Sequence, residues 1–210
     1  METTHGIDIS HYNGPDLQFG ELKNAGVSFV IAKATEKLDV VDSLFLDNYA
    51  RAKAAGMLRS AYHFFHPELD PVAQADFFCQ TVPFETGDMR LALDVETLAR
   101  GGQNFAGWSI KQDVQSCVDQ IKANTGMYPW LYSGVSFYQT YLSGVTGCSL
   151  WLAEYGVSSP KIVPLPAIWQ YTDSQSWNGA PNPVDSNVFF GTLDDLTCNN
   201  LLTVDAASSP

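Results

Sequence analysis

The stretch "LALDVET", residues 91–97, decides the fold, because it reads as a short buried strand that carries two carboxylates, Asp94 and Glu96. Side chains alternate along a strand, so residues two apart share a face, about 7 Å from one another at Cα. Two like charges on one face of an apolar run disfavour folding unless the run ends where a site begins.

Seven more short runs resemble this one. They are "GIDIS" (6–10), "SFVIAKAT" (28–35), "SAYHFF" (60–65), "PWLYSG" (129–134), "LWLAEY" (150–155), "AIWQYT" (167–172) and "NVFFG" (187–191). Each is rich in Ile, Val, Phe, Tyr or Trp and is bounded by Gly, Pro, Ser or Asp. Helical patterns separate the early runs. Residues 43–55 place Leu44, Leu46, Tyr49 and Ala50 near one face, with Ser43 as N-cap and Gly56 as stop. Residues 71–80 open with Pro71 after Asp70, a good first-turn pair. Residues 108–124 space Ile110, Val114, Cys117, Val118 and Ile121 as one helix face.

Strands that alternate with helices predict a parallel sheet, and eight units predict a closed barrel. The (β/α)8 barrel usually needs ~250 residues, and this chain has 210. The segments after 134, 155 and 172 are too short or too rich in Pro and Ser for full helices. The expectation is an abbreviated, flattened TIM-like α/β barrel that lacks helices in its second half. It forms one domain over residues 1–210, with a core at 5–196 and a frayed "AASSP" tail.

Composition narrows the function. The chain is 45% hydrophobic and 16% charged, with a formal net charge of -12, which argues against nucleic acid and anionic membrane surfaces as partners. No apolar run is long enough to span a bilayer. The start, "METTHGIDIS", shows no signal peptide. Cys79, Cys117, Cys148 and Cys198 form no CxxC pair, which speaks against zinc and leaves disulfide pairing open.

Active sites of parallel α/β folds lie at the C-terminal strand ends. Four acids fall there: Asp8, Asp94, Glu96 and Asp185. Lys33, Tyr62, His63, Tyr132, Glu154, Gln170 and Tyr171 join them, and the rings of Trp151, Tyr155 and Trp169 fall on or after strands. Crowded carboxylates raise one another's pKa, which keeps an acid protonated near neutrality. Two chemistries use such a cluster: glycoside cleavage and a divalent-metal cage for phosphoester work. The aromatic platforms favour sugars, and only Lys33 and His63 could hold a phosphate.

In order and spacing, "GIDIS", "FVIAKATE", "SAYHFFHP", "LALDVE", "YPWLYSG", "LWLAEY", "AIWQYT" and "VDSNVF" resemble the glycoside hydrolase family 25 lysozymes, the Chalaropsis-type muramidases. The resemblance implies cleavage of the β-1,4 bond between N-acetylmuramic acid and N-acetylglucosamine in bacterial peptidoglycan, with no cofactor; the acid cluster is itself expected to hold no metal. It implies Glu96 as general acid, with Asp94, Asp8 and Asp185 completing the catalytic set. Tyr62 and Tyr132 would line the sugar subsite, with Lys33, Trp151, Glu154, Gln170 and Tyr171 as further substrate contacts. The expected form is a monomer, extracellular or delivered to the wall, as a secreted enzyme or a phage endolysin. Lys37 replaces a glycine common in the family after "KATE", and no wall-binding repeat follows the barrel. The Gly-rich stretch 96–109 is expected to form a lip of the groove. The rival readings are a metal-dependent phosphoesterase on the same barrel and a non-catalytic peptidoglycan-binding module.

Overall fold

The computed structural model describes residues 2–98 and 107–203. The core of the proposed lip and the C-terminal tail therefore lie outside the described residues. In chain order the strands are β1 (Thr4–Ile9), β2 (Val27–Glu36), β3 (Val40–Val41), β4 (Leu58–Phe64), β5 (Ala92–Asp94), β6 (Trp130–Gly134), β7 (Ser149–Ala153), β8 (Ile168–Gln175) and β9 (Val184–Phe189). The helices are α1 (Phe19–Asn24), α2 (Phe45–Ala54), α3 (Pro71–Thr81), α4 (Gly107–Thr125), α5 (Val135–Phe137) and α6 (Leu193–Asn200).

The order β1-β9-β8-β7-β6-β5-β4-β2 closes through a β1–β2 pairing, and β3 hangs on the end of β2. This is the expected abbreviated barrel, with one correction: it is mixed. Strand β9 runs antiparallel to both β1 and β8. An antiparallel neighbour needs only a short link, whereas a parallel crossover needs a dozen or more residues. Residues 176–183 suffice for β8 to β9, which is one way the chain closes a barrel on so few residues. After β6 there is only α5 and a single π turn, Tyr138–Leu142. No helix follows β7 before β8.

Alternation along the strands sorts two layers. Phe29, Ile31, Ala92, Trp130, Trp151, Ile168 and Phe189 fill the barrel. Ile7, Val30, Leu93, Leu131, Phe45, Tyr49, Phe78, Val114, Val118 and Ile121 pack between barrel and helices. Gly6 is required by the inner layer, since a Cβ there would meet the Phe29 ring at 2.2 Å. The far end is sealed by Arg90 over the Trp130 ring, 4.9 Å from its centroid, by Leu196 of α6, and by a Met89–Leu201 bridge.

The predicted helix faces need one correction. In α2 the buried residues are Phe45, Asn48, Tyr49 and Ala52, while Leu46 is exposed. Asp42, not Ser43, satisfies the start: its Oδ1 accepts from Leu44 N–H. In α3, Asp70 caps Ala73 N–H as expected. In α4 all five predicted positions are buried. The four cysteines are free thiols. Lys37 takes φ 59° in the β2–β3 turn, the left-handed region that favours glycine.

Candidate active site

The inner row of each strand ends in polar residues at one mouth. Strand β1 delivers Asp8, β2 Lys33, β4 Tyr62, β5 Asp94, β6 Tyr132 and β8 Gln170. Asp185 reaches the same mouth from the start of β9, because that strand is reversed, and it lies directly opposite Asp8. All four predicted acids therefore converge.

Asp94 is buried at the end of β5, and Glu96 is exposed two residues beyond. Burial, then the Glu96 charge, hold the Asp94 carboxyl well above the usual carboxylate range. Glu96 lies within hydrogen-bond reach of it, a contact that also favours the protonated form of Asp94. Its Oδ1 is enclosed without a partner. Lys33 pulls the other way, and its ammonium is held 2.8 Å from Glu36 Oε2 and over the Phe64 ring. His66 ties Glu36 to Glu68 behind it, at 2.8 Å on each ring nitrogen.

On the facing wall, Asp8 Oδ2 accepts two amide N–H groups, from Gln170 and Asn187, each at 2.8 Å. Burial raises the Asp8 carboxyl and those two bonds oppose the rise. Asp185 is also raised, by burial first and then by the Asp8 and Asp173 charges. Burial likewise pushes the Tyr62 and Tyr132 phenols up, so both stay neutral.

Several predicted sugar contacts take other places. Trp151 is 1% exposed; it lies under the floor, against Tyr132 at 4.5 Å between centroids, and leaves no face open for a sugar. Gln170 is 2% exposed, with its oxygen and nitrogen both bonded within the protein. Tyr171 turns away beside Trp169, 5.8 Å between centroids. His63 faces outward, bonded to Thr35 and Gln74, and burial lowers its pKa to about 4. Glu154 does reach a cleft of about 560 Å³, lined with Gly134, Ser136, Phe137 and Gln139, next to the mouth. Its Oε2 accepts from Lys161 N–H.

Asn187 is the residue that sequence reasoning missed. Its signal was present: it lies two residues after Asp185, and so on the same face of β9. Among the described residues no group of three or more His, Cys, Asp and Glu could hold a metal ion. The N–H donors aimed at Asp8 also suit a carboxylate alone better than one bound to a cation.

Residues 7–180 match the glycosyl hydrolases family 25. An autolytic lysozyme from Clostridium acetobutylicum is 36% identical over 185 residues, covering 88% of this chain and 55% of that protein. An N,O-diacetylmuramidase from Chalaropsis is 32% identical over 215 residues, covering 92% and 97%. A bacterial lysozyme from Streptomyces coelicolor superposes with a TM-score of 0.88 at 28% identity, covering 95% of this chain and 98% of that one.

Proposed function

This chain belongs to glycosyl hydrolases family 25, and from that premise we infer that it is a lysozyme. It hydrolyses the β-1,4 bond between N-acetylmuramic acid and N-acetylglucosamine in bacterial peptidoglycan. The observation that supports the residue roles is the Asp94–Glu96 pair, side by side at the end of β5 with Asp94 buried and Glu96 exposed.

In this reading Glu96 protonates the leaving glycosidic oxygen. Asp94 stays beside it as an orienting group. Its Oδ1 accepts no N–H or O–H from the protein, and the N–H of a substrate 2-acetamido group would fill that place once Glu96 swings to the bond. The acetamido oxygen then attacks the anomeric carbon as the glycosidic bond breaks, and water later opens the cyclic intermediate. Asp8 supplies a fixed negative charge near the developing positive sugar. Tyr62 and Tyr132 border the sugar face, and Lys33 holds its charge next to Asp94. The enzyme works as a monomer on the wall, outside the cytoplasm, with no cofactor.

The test is product chemistry. Purified peptidoglycan is digested, reduced with borohydride, and its fragments are weighed by mass spectrometry. Reduced N-acetylmuramic acid ends are the expected product. Reduced N-acetylglucosamine ends, or phosphate release without sugar cleavage, would replace this reading.

A further inference from the structure

The mouth contains a chain of hydrogen bonds whose direction is fixed at one end by an indole. An indole N–H only donates. The Asn187 atom 2.7 Å from Trp151 Nε1 is therefore its carbonyl oxygen. That leaves the Asn187 nitrogen for Asp8 Oδ2. Gln170 is placed by the network as a whole, since a phenol hydroxyl can accept as well as donate. Its oxygen takes the hydroxyls of Tyr132 and Tyr155, and both phenols are kept protonated by burial. In this arrangement its nitrogen faces Asp8 Oδ2.

One oxygen of Asp8 thus collects two N–H donors. A proton on that oxygen would point O–H against N–H, so the oxygen is an acceptor only. Asp185 faces Asp8 across the strand pair, within hydrogen-bond reach of it. A proton shared by the two belongs on the carboxyl that lacks the two amide donors, because those donors stabilise the ionised form of Asp8. The remaining ionisable groups around the pair are acids or phenols, apart from Lys33: Asp94 and Glu96 of the β5 wall, Asp173 of β8, and Tyr62, Tyr132 and Tyr155. Lys33 is already engaged by Glu36.

We propose that Trp151, Asn187, Gln170 and the two tyrosines form a positioning array that keeps Asp8 ionised and Asp185 protonated, so that this wall of the groove carries one negative charge and not two. Asp185 spends its O–H on Asp8 and shows the groove a neutral carbonyl oxygen, an acceptor for a sugar N–H or O–H. The single charge is buried, immobile and water-poor, where it acts most strongly on a developing cation. The catalytic consequence rests on the lysozyme reading; the protonation pattern does not.

The experiment uses the full chain labelled with ¹³C at aspartate carboxyls. Asp8→Asn and Asp185→Asn serve to assign the two signals, and the parent is titrated by NMR. The expected result is that the Asp185 signal lies at its protonated position near neutral pH, while Asp8 is ionised well below that. Asn187→Leu, checked for folding by thermal melting, should raise the Asp8 titration by about one pH unit. The acid limb of wall cleavage should move with it, and Trp151→Phe should move both less far. A protonated Asp8, two ionised carboxyls near neutral pH, or an Asn187→Leu variant that loses rate without moving either titration would overturn the proposal. Failure of the lysozyme reading would look different, because the carboxyl titrations need no substrate.

Discussion

The buried Asp94 carboxyl lies within hydrogen-bond reach of Glu96 at the end of β5, and burial and the Glu96 charge hold it well above the usual carboxylate range. Glu96 is exposed and Asp94 is buried. That asymmetry is the basis for the proposal that Glu96 is the group that meets the substrate. Glu96→Gln keeps the shape and loses the transferable proton. It should fold like the parent and lose ~10²–10⁴ in rate. Wall clearing, compared at matched melting temperature, is the measurement. Activity within a few-fold of the parent would remove Glu96 from the mechanism.

Four acids at one mouth could suggest a cation cage. The amide donors on Asp8 argue otherwise. Dialysis against EDTA should leave wall lysis unchanged, and added Mg²⁺ should not raise it. Activity lost on chelation and restored by metal would bring the phosphoesterase reading forward.

The raised carboxyls are a stability cost with a definite sign. For an acid whose folded pKa lies above its unfolded value, the folded state binds more protons, and stability falls as pH rises from about 4 through the raised value. Asp94, Asp8 and Asp185 all act in that direction. His63 acts in the other: its imidazole is held neutral with a pKa of about 4, so stability falls as pH drops from about 6.5 towards 4. Asp94→Asn should therefore raise thermal stability at pH 8 by about 0.5–2 kcal/mol, with the gain gone by about pH 4. A melting-temperature series across pH reads this directly, and a gain that grows towards acid would contradict the sign.

Two backbone positions should respond in opposite ways to exchange with glycine. Gly6→Ala pushes a methyl into the Phe29 ring, 2.2 Å away, and should cost about 1–3 kcal/mol or more. Adding Phe29→Leu should recover part of it. Lys37→Gly relieves a left-handed residue and should gain up to about 1 kcal/mol. Denaturant midpoints of the three variants test both.

The strand runs and their polar ends were legible because the apolar alternation is strong and both faces of the barrel wall are buried. Asp185 was found by a parallel-sheet argument that does not hold for β9. It reaches the mouth because the strand is reversed and the residue lies at its start. Direction is a tertiary property, set by a link too short to cross over, and no local pattern reports it. Trp151 and Gln170 were placed at the correct end but one layer too high. Alternation says which side of a strand a residue faces, not how deep it lies once Tyr132 packs over Trp151. Helices α1 and α6 were missed because they are short and carry few apolar positions, Phe19 and Leu22 in one and Leu196 in the other.

The position of Asp94 also separates two mechanisms. A protein nucleophile must reach the anomeric carbon from the face opposite the leaving oxygen, and retaining pairs stand about 5–5.5 Å apart with the bond between them. Asp94 ends β5 and Glu96 follows two residues on, within hydrogen-bond reach of it, which leaves no room for a sugar between them. Asp94 is also buried, so attack would require it to leave its pocket. A substrate that brings its own acetamido oxygen removes both difficulties and needs Asp94 only as an acceptor for the acetamido N–H. Asp94→Asn should then keep partial activity, since an amide oxygen still accepts that bond. Peptidoglycan stripped of its N-acetyl groups should be cut poorly by the parent enzyme, and a fluorinated slow substrate should leave no glycosyl adduct. A mass shift on the Asp94 peptide after that treatment would make Asp94 the nucleophile instead.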